Sequence, residues 1–218
     1  MRKSGRYDTS GLVEDQFEPG SGGRVLKNLR GIKRKREMDR LEAIEYAKVF
    51  EQAVRLYGLS RKFTANDICR LHRLWLGTIY PWAGIYRSVN ISKGDFSFAA
   101  ARHVPVLMAD FENKILAVAT PCNFQPKEKI ASALAIVHTE LVLIHPFREG
   151  NGRLARLLSV LMALQAGLPA LDFVNIRGRK RNEYFKAVRS GMDKNYQPME
   201  SFFLDVIDAG LKRACRKL

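Results

Sequence analysis

The chain reads His145-Pro-Phe-Arg-Glu-Gly-Asn-Gly-Arg-Leu-Ala-Arg156 at the point where one helical pattern stops and another starts. Pro146 disfavours helical geometry at the residue before it, so a helix is expected to end at Ile144. Gly150 and Gly152 permit a tight turn around the asparagine between them, and the sequence predicts a new helix on the far side. That helix is apolar nearly all round, so it should be buried and hold the turn rigidly.

The turn has the composition of an anion-binding site. Gly150, Asn151 and Gly152 allow successive backbone N–H groups to point inward, and the new helix adds its own free N–H groups and its dipole. Arg153 and Arg156 are three residues apart on the first turn of that helix, so both side chains reach the same region. Two guanidiniums beside such a cradle suit a di- or triphosphate better than a single carboxylate.

Two more side chains of the segment complete a reaction centre. Glu149 offers a carboxylate beside the predicted polyphosphate, which is the usual way for a protein to hold Mg²⁺. His145 has an unperturbed pKa near neutrality and can accept a proton from an attacking hydroxyl. A purely structural turn would not need these charges, because burying them unpaired costs several kcal/mol. The segment therefore predicts a base, a metal ligand and a phosphate clamp.

Helical spacing of apolar residues recurs along most of the chain. Thr64 and Asp67 are placed as in a capping box, and Gly167 is placed as a helix C-cap. Between residues 80 and 101 the pattern becomes aromatic and β-branched around Lys93-Gly94-Asp95, which predicts one short β-hairpin. The predicted fold class is all-α with that single hairpin. Helices are expected at residues 38–57, from 64 onward, and at 104–118, 126–144, 153–165, 182–192 and 199–216.

The overall composition narrows the class of protein. The 218 residues suffice for one domain of ordinary size, and no apolar run approaches the length of a membrane span. The N-terminus lacks the apolar core of a secretory signal. Three scattered cysteines form neither a disulfide framework nor a zinc site. We expect a protein of the bacterial cytoplasm without membrane contact, although export by a specialised secretion system would leave the same record.

The net charge of +15 needs an explanation. Nucleic acid, an acidic protein or a polyphosphate would each suit it, and solvated surface charge would account for each basic cluster taken alone. Direct nucleic-acid binding stays an alternative but is not favoured, since the chain has no aromatic RNA-binding pattern, zinc-finger spacing or basic zipper. The basic residues concentrate in three clusters: Lys27, Arg30, Lys33, Arg34, Lys35 and Arg36; then Arg177, Arg179, Lys180 and Arg181; and finally Lys212, Arg213, Arg216 and Lys217.

The segment 145–156 resembles the signature of the Fic family, HPFx(D/E)GNGRxxR, at every defined position. Residues 26–32 resemble the family's entry to its first helix, while 80–87 and 90–98 resemble its turn and hairpin flap. The resemblance implies the Fic fold over residues 24–205. An N-terminal arm at 1–23 and a basic end of the last helix at 206–218 would flank it.

The resemblance also implies an activity, because members of this family mainly transfer AMP. ATP with Mg²⁺ would be the co-substrate, and a Tyr, Ser or Thr hydroxyl of another protein would receive AMP as pyrophosphate leaves. Carried over by position, the family roles are His145 as base, Glu149 as Mg²⁺ ligand, Asn151 as α-phosphate contact, Gly150 and Gly152 as the backbone cradle, and Arg153 and Arg156 as clamps on the β- and γ-phosphates. Lys93, Phe96 and Phe98 belong to the flap, where Phe98 or Phe96 would pin the target segment.

Two alternatives within the family remain open. The related Doc kinases carry lysine where this chain has Gly152, so AMP transfer is favoured over phosphoryl transfer; AMP removal is the other alternative. Fic enzymes are commonly inhibited by a helix of pattern (S/T)xxxE(G/N) whose glutamate pairs with the second motif arginine, here Arg156. The nearest match, Ser10 to Asp15, departs from that pattern at its last position.

The resemblance therefore favours inhibition by a separate antitoxin-like protein, with this chain as the toxin of the pair. Inhibition in cis by Glu14 is the alternative. Relatives of this type modify a type II topoisomerase subunit or a small GTPase, and the sequence does not choose between these targets.

Overall fold

The computed structural model describes residues 11–173 and 178–216. The expectations for residues 1–10, for Arg177, for Lys217 and for the side chain of Arg179 lie outside this part. The helices are α1 (Lys35–Leu56), α2 (Ala65–Leu76), α3 (Val104–Phe111), α4 (Lys127–Ile144), α5 (Asn151–Gln165), α6 (Arg179–Ser190) and α7 (Gln197–Cys215). The strands are β1 (Ser92–Lys93) and β2 (Phe96–Ser97), and 3-10 turns occupy Val13–Asp15, Ala101–His103 and Gly191–Asp193.

Helix α4 is the centre of the domain. It packs against α5 and α7, and its buried face includes Ile130, Leu134, Val137 and Leu141. Apolar burial of this kind is the main contribution to folding free energy. Helix α5 is buried almost all round, as its composition predicts. The segment between α4 and α5 is therefore held at both ends by buried helices.

The predicted capping box at the start of α2 is confirmed. The Thr64 side chain accepts a hydrogen bond from the Asp67 backbone N–H at 3.1 Å, and the Asp67 carboxylate accepts from the Thr64 N–H at 3.0 Å. Arg61 adds a bidentate pair to that carboxylate. Trp75 is fully buried near the far end of the helix, which faces the α4–α5 segment. The box thus fixes the register of a helix that supports the site.

The hairpin is shorter than predicted. Its antiparallel strands pair Ser92 with Ser97 and Lys93 with Phe96, and Gly94 at φ 62° forms the turn. The aromatic and β-branched pattern on which the hairpin was predicted also includes Tyr86 and Val89, and these two residues lie outside the strands. The aromatic and β-branched residues there are selected by burial rather than by strand pairing, since Val89 is buried in a loop.

Two other boundaries differ from the prediction. Helix α5 begins at Asn151, two residues earlier than expected, so Asn151 and Gly152 form its first turn instead of the loop before it. The predicted helix 104–118 contains a π-helical stretch, Glu112–Leu116, between α3 and a last turn Ala117–Ala119. No helix of the described ranges is both long and apolar enough to cross a bilayer.

The described part of the N-terminal arm packs on the domain. Phe17 and Leu26 form an isolated antiparallel bridge. The Glu14 carboxylate accepts hydrogen bonds from the backbone N–H and the hydroxyl of Ser88, and the Glu14 carbonyl accepts from Arg148 Nε at 2.9 Å. The arm thus connects the hairpin region to the α4–α5 segment. The domain limits at 23 and 205 remain predictions.

His138 joins three helices at the core. Its ring lies on α4, with Nδ1 3.2 Å from the Ser159 hydroxyl on α5 and Nε2 2.8 Å from the Tyr184 hydroxyl on α6. Ser159 donates its own proton to the Ala155 carbonyl, so His138 donates at Nδ1 and accepts at Nε2. Burial lowers the pKa of His138 to about 3, and the ring is neutral in the folded protein.

We expect stability to fall as the pH falls. His138 binds a proton in the unfolded chain below about pH 6.5 but not in the folded chain until about pH 3, so its stabilising contribution is complete above the first value and decreases toward the second. Between pH 7 and pH 5 this one ring should remove about 2 kcal/mol from the free energy of unfolding. Urea unfolding of the wild type and of His138→Gln measures this, and an unchanged pH slope in the variant would contradict it.

Candidate active site

One cavity of about 1340 Å³ lies between the α4–α5 segment, the hairpin and helix α6. Every residue that the sequence assigned to the site lines it: Lys93, Phe96, Phe98, His145, Glu149, Gly150, Asn151, Gly152, Arg153 and Arg156. The structure therefore brings the predicted groups together. Their individual roles remain predictions.

His145 ends helix α4 in a left-handed conformation, with φ 53°. Its Nδ1 lies 3.0 Å from the Val142 carbonyl, which can only accept, so Nδ1 carries the proton and Nε2 has a free lone pair. Burial lowers its pKa to about 4, with the Arg87 and Lys93 charges acting in the same direction. The Phe98 ring stacks on the imidazole at 3.6 Å. His145 is thus neutral and fixed in orientation, with one ring nitrogen able to accept a proton.

The start of helix α5 has free backbone donors. Among the residues described, the N–H groups of Asn151 and Gly152 have no hydrogen-bond acceptor, as is usual for the first residues of a helix. Gly150 precedes them at φ 85°, and a Cβ there would lie 2.7 Å from Trp75. A Cβ on Gly152 would meet nothing within 4 Å. Gly150 is needed for the backbone path, whereas Gly152 leaves the helix start open.

The Asn151 side chain fastens the segment from inside. Its Oδ1 accepts from the Phe147 N–H at 2.9 Å, and its Nδ2 donates to the Phe147 carbonyl at 2.7 Å. His72 binds the backbone carbonyl of Glu149, whose oxygen lies 3.0 Å from His72 Nε2. The His72 Nδ1 accepts a hydrogen bond from the Gly84 N–H at 2.8 Å. The predicted contact of Asn151 with an α-phosphate would fall to the remaining amide hydrogen.

Arg153 is already paired in this structure. Its guanidinium lies 2.7 Å from the buried Glu42 carboxylate of α1 and 3.4 Å from Glu149. It also covers the Trp75 ring at 4.5 Å. The Tyr80 hydroxyl donates to the second Glu42 oxygen at 2.8 Å. Arg153 is consequently fixed in orientation, and a large part of its charge is balanced.

Arg156 differs from Arg153. It lines the cavity half-buried, and within residues 11–173 and 178–216 it has no hydrogen bond or ion pair. Glu14, the sequence's candidate for an inhibitory partner, is bound to Ser88 instead. The structure therefore does not place Glu14 on Arg156.

Glu149 is the predicted metal ligand. Its carboxylate is about half exposed at the cavity rim and accepts from the Gly150 N–H at 2.9 Å. The described residues contain no group of three or more His, Cys, Asp or Glu side chains able to hold a metal ion. A hard carboxylate oxygen fits Mg²⁺, which keeps several waters and binds phosphate oxygens when few protein ligands are present. The residues present thus fit a Mg²⁺ ion that arrives with a nucleotide.

The hairpin is docked on helix α6. Asp95 forms a two-bond ion pair with Arg189, whose guanidinium also lies 5.4 Å from the centre of the Phe96 ring. Lys93 Nζ lies 4.5 Å from the centre of the Phe185 ring. These contacts close one side of the cavity with Lys93 and Phe96, two of the three flap residues that the sequence singled out.

Sequence reasoning missed three supporting residues. His72 belongs to no motif in the sequence, yet it is buried and both of its ring nitrogens form hydrogen bonds. Glu42 lies on the mostly polar helix α1, where a carboxylate has no distinguishing signal. Arg87 is buried to 2% exposure inside the turn region. A buried arginine cannot be told from a surface one by spacing alone.

The fold and the cavity define a class of protein: a small helical domain that presents its reactive groups on one segment between two buried helices, under a short hairpin. Residues 62–163 match the model of the Fic/DOC family. These residues of the chain are therefore a Fic/DOC domain.

Relatives and solved structures agree with this assignment. A protein adenylyltransferase Fic from Nematostella vectensis is 33% identical over 150 residues, which are 66% of this chain and 32% of that protein. The protein adenylyltransferase VbhT from Bartonella schoenbuchensis is 30% identical over 158 residues, with coverages of 72% and 32%. The chain thus spans about a third of the length of these relatives.

A solved structure supports the fold. The BepC effector protein of Bartonella tribocorum, determined with bound AMPPNP, superposes with a TM-score of 0.71 at 23% identity, covering 90% of this chain and 97% of that one.

The two glycines of the turn should respond oppositely to alanine. Gly150→Ala places a Cβ in a left-handed conformation against Trp75, so the free energy of unfolding should fall by about 2–4 kcal/mol. Gly152→Ala should leave stability unchanged or slightly raised, because its Cβ stands in open space within a helix. Urea unfolding of both variants checks this, and equal losses would contradict the assigned difference.

Proposed function

We propose that this chain is a protein adenylyltransferase, which moves AMP from ATP to a Tyr, Ser or Thr hydroxyl of a target protein and releases pyrophosphate. One observation carries the proposal: the neutral His145 lines the same cavity as the free N–H groups of Asn151 and Gly152 and the Arg156 guanidinium. A proton acceptor and an anion cradle therefore face one space. The names of the relatives and the AMPPNP bound by BepC support the same reaction.

The proposed chemistry follows from these positions. His145 Nε2 takes the proton of the target hydroxyl as the hydroxyl oxygen bonds to the α-phosphorus. The bond between the α-phosphorus and the oxygen that bridges it to the β-phosphorus breaks, and pyrophosphate leaves. The helix N–H groups and Asn151 hold the α-phosphate, while Arg153 and Arg156 hold the β- and γ-phosphates. Glu149 would hold a Mg²⁺ ion, which supplies positive charge beside the leaving pyrophosphate.

The hairpin flap positions the target protein. Phe98 packs on His145. We therefore propose that Phe96, two residues earlier and in contact with Phe98, pins the target segment while β1 and β2 align it by strand addition. Lys93 lies beside it. The target itself is proposed to be a type II topoisomerase subunit or a small GTPase, met in the bacterial cytoplasm or after export into a host.

Loss of His145 should greatly slow transfer and leave ATP binding nearly unchanged. With ATP labelled at the α-phosphate, Mg²⁺ and a cell lysate, the wild type should label protein bands, whereas His145→Ala should label them at least about a hundred times more slowly. ATP binding measured by calorimetry should stay within a few-fold, because the cradle does not contain the ring.

The position of the label distinguishes the alternatives. Label transferred from the γ-phosphate instead of the α-phosphate would replace AMP transfer by phosphoryl transfer. Equal labelling by the wild type and His145→Ala would remove the histidine as the base.

We further propose that inhibition acts in trans, through a separate antitoxin-like protein that places a glutamate on Arg156. The unpaired state of Arg156 within the described residues and the binding of Glu14 by Ser88 support this. A glutamate there would compete with the γ-phosphate for the same guanidinium.

The purified chain should then be active alone, and Glu14→Gly should give no gain of transfer. An inactive wild type that becomes active as Glu14→Gly would instead establish inhibition in cis. Arg148→Lys, which alters the other end of the same arm contact, serves as the control for a general loosening of the arm.

A further inference from the structure

A buried arginine outside the signature joins the base to the flap. Arg87 is 2% exposed and, among the described residues, forms no ion pair. Its guanidinium instead donates only to backbone carbonyls: Nε to His145 at 2.6 Å, Nη1 to Val89 at 2.7 Å, and Nη2 to Ala99 at 2.5 Å and Ile144 at 3.3 Å. A buried cation is tolerated when its donors are saturated in this way.

Two of these acceptors are the end of helix α4. The carbonyls of Ile144 and His145 have no partner within the helix, and the helix C-terminus carries partial negative charge, so an arginine there acts as a cap. The Arg87 backbone N–H also donates to the Pro146 carbonyl at 2.9 Å. Three consecutive carbonyls around the base are thus bound by one residue, which helps to hold His145 at its unusual positive φ.

The other two acceptors, the carbonyls of Val89 and Ala99, flank the hairpin. Val89 and Ala99 lie just before and just after the segment that contains β1 and β2. The Arg87 guanidinium therefore fixes the distance between the His145 ring and the hairpin that presents the target. The nucleotide cradle does not depend on it, because His72 and Asn151 hold residues 147–149 separately.

We propose that Arg87 is a positioning residue that sets the flap against His145, so that the target hydroxyl and its proton acceptor are brought into line. This inference rests on the proposed adenylyl transfer. Its prediction is selective: the rate of transfer depends on Arg87, while the affinity for ATP does not.

Two variants separate the roles of charge and shape. Arg87→Lys keeps the charge but cannot reach four carbonyls, and Arg87→Met removes the charge while keeping an unbranched chain. Both should lower kcat at least about tenfold and raise KM for the target, with the Kd for ATP within about threefold. Arg61→Met removes the bidentate pair with Asp67 at the start of α2, away from Arg87 and the hairpin. This variant is the control for an effect that comes only from a loss of stability.

The protonation of His145 gives a second readout. The charges that face its ring are Arg87, Glu149 and Lys93. Removing Arg87 takes away a cation that opposes protonation, so the pKa of His145 should rise in Arg87→Met and stay near its wild-type value in Arg87→Lys. NMR titration of the ring measures this in the full chain, whether or not any transfer occurs.

The outcomes are distinct. A wild type that transfers nothing would remove the proposed function, and the NMR titration would still test the inference. Arg87 variants whose kcat and His145 titration match those of Arg61→Met would overturn it, because a merely structural loss predicts that result. Should Arg87→Met fail to fold, the comparison of kcat with Kd for ATP in Arg87→Lys decides.

Discussion

The site depends on where the backbone carbonyls of one segment point. Arg87 binds those of residues 144–146, around the His145 ring. Asn151 binds that of Phe147 and His72 that of Glu149. With these last two oxygens turned toward buried side chains, the N–H groups at the start of α5 are left for the cavity. An anion site built from backbone donors requires this separation, since a carbonyl turned inward would repel a phosphate.

The sequence was most informative where chemistry is local. Thr64 and Asp67 satisfy each other within one helical turn, and the segment 145–156 contains its own turn, helix start and charges, so both could be interpreted without tertiary contacts. The all-α class with one hairpin is confirmed, and the candidate residues line one cavity.

The rest depends on long-range packing. Residues 86–91 belong to the stretch predicted to contain the hairpin, but they form a loop in which Arg87 and Val89 are buried. Periodicity indicates burial and cannot say which element covers a residue. The sequence predicts both Gly150 and Gly152 in the turn before helix α5. The helix starts earlier, because only Gly150 of the two is left-handed and Gly152 adopts helical geometry. Glu42 lies on helix α1 and Arg153 on helix α5, and no pattern along the chain predicts the ion pair between them.

The pairing of Arg153 with Glu42 has a consequence for turnover. Under the proposed reaction, Arg156 is the motif guanidinium without a carboxylate within the described residues, so the nucleotide's terminal phosphates meet less net positive charge than a count of arginines implies. A weaker electrostatic interaction lowers the affinity for the substrate, yet it also lets the pyrophosphate product dissociate sooner. In an enzyme limited by product escape, a balanced arginine of this kind favours speed over tight binding.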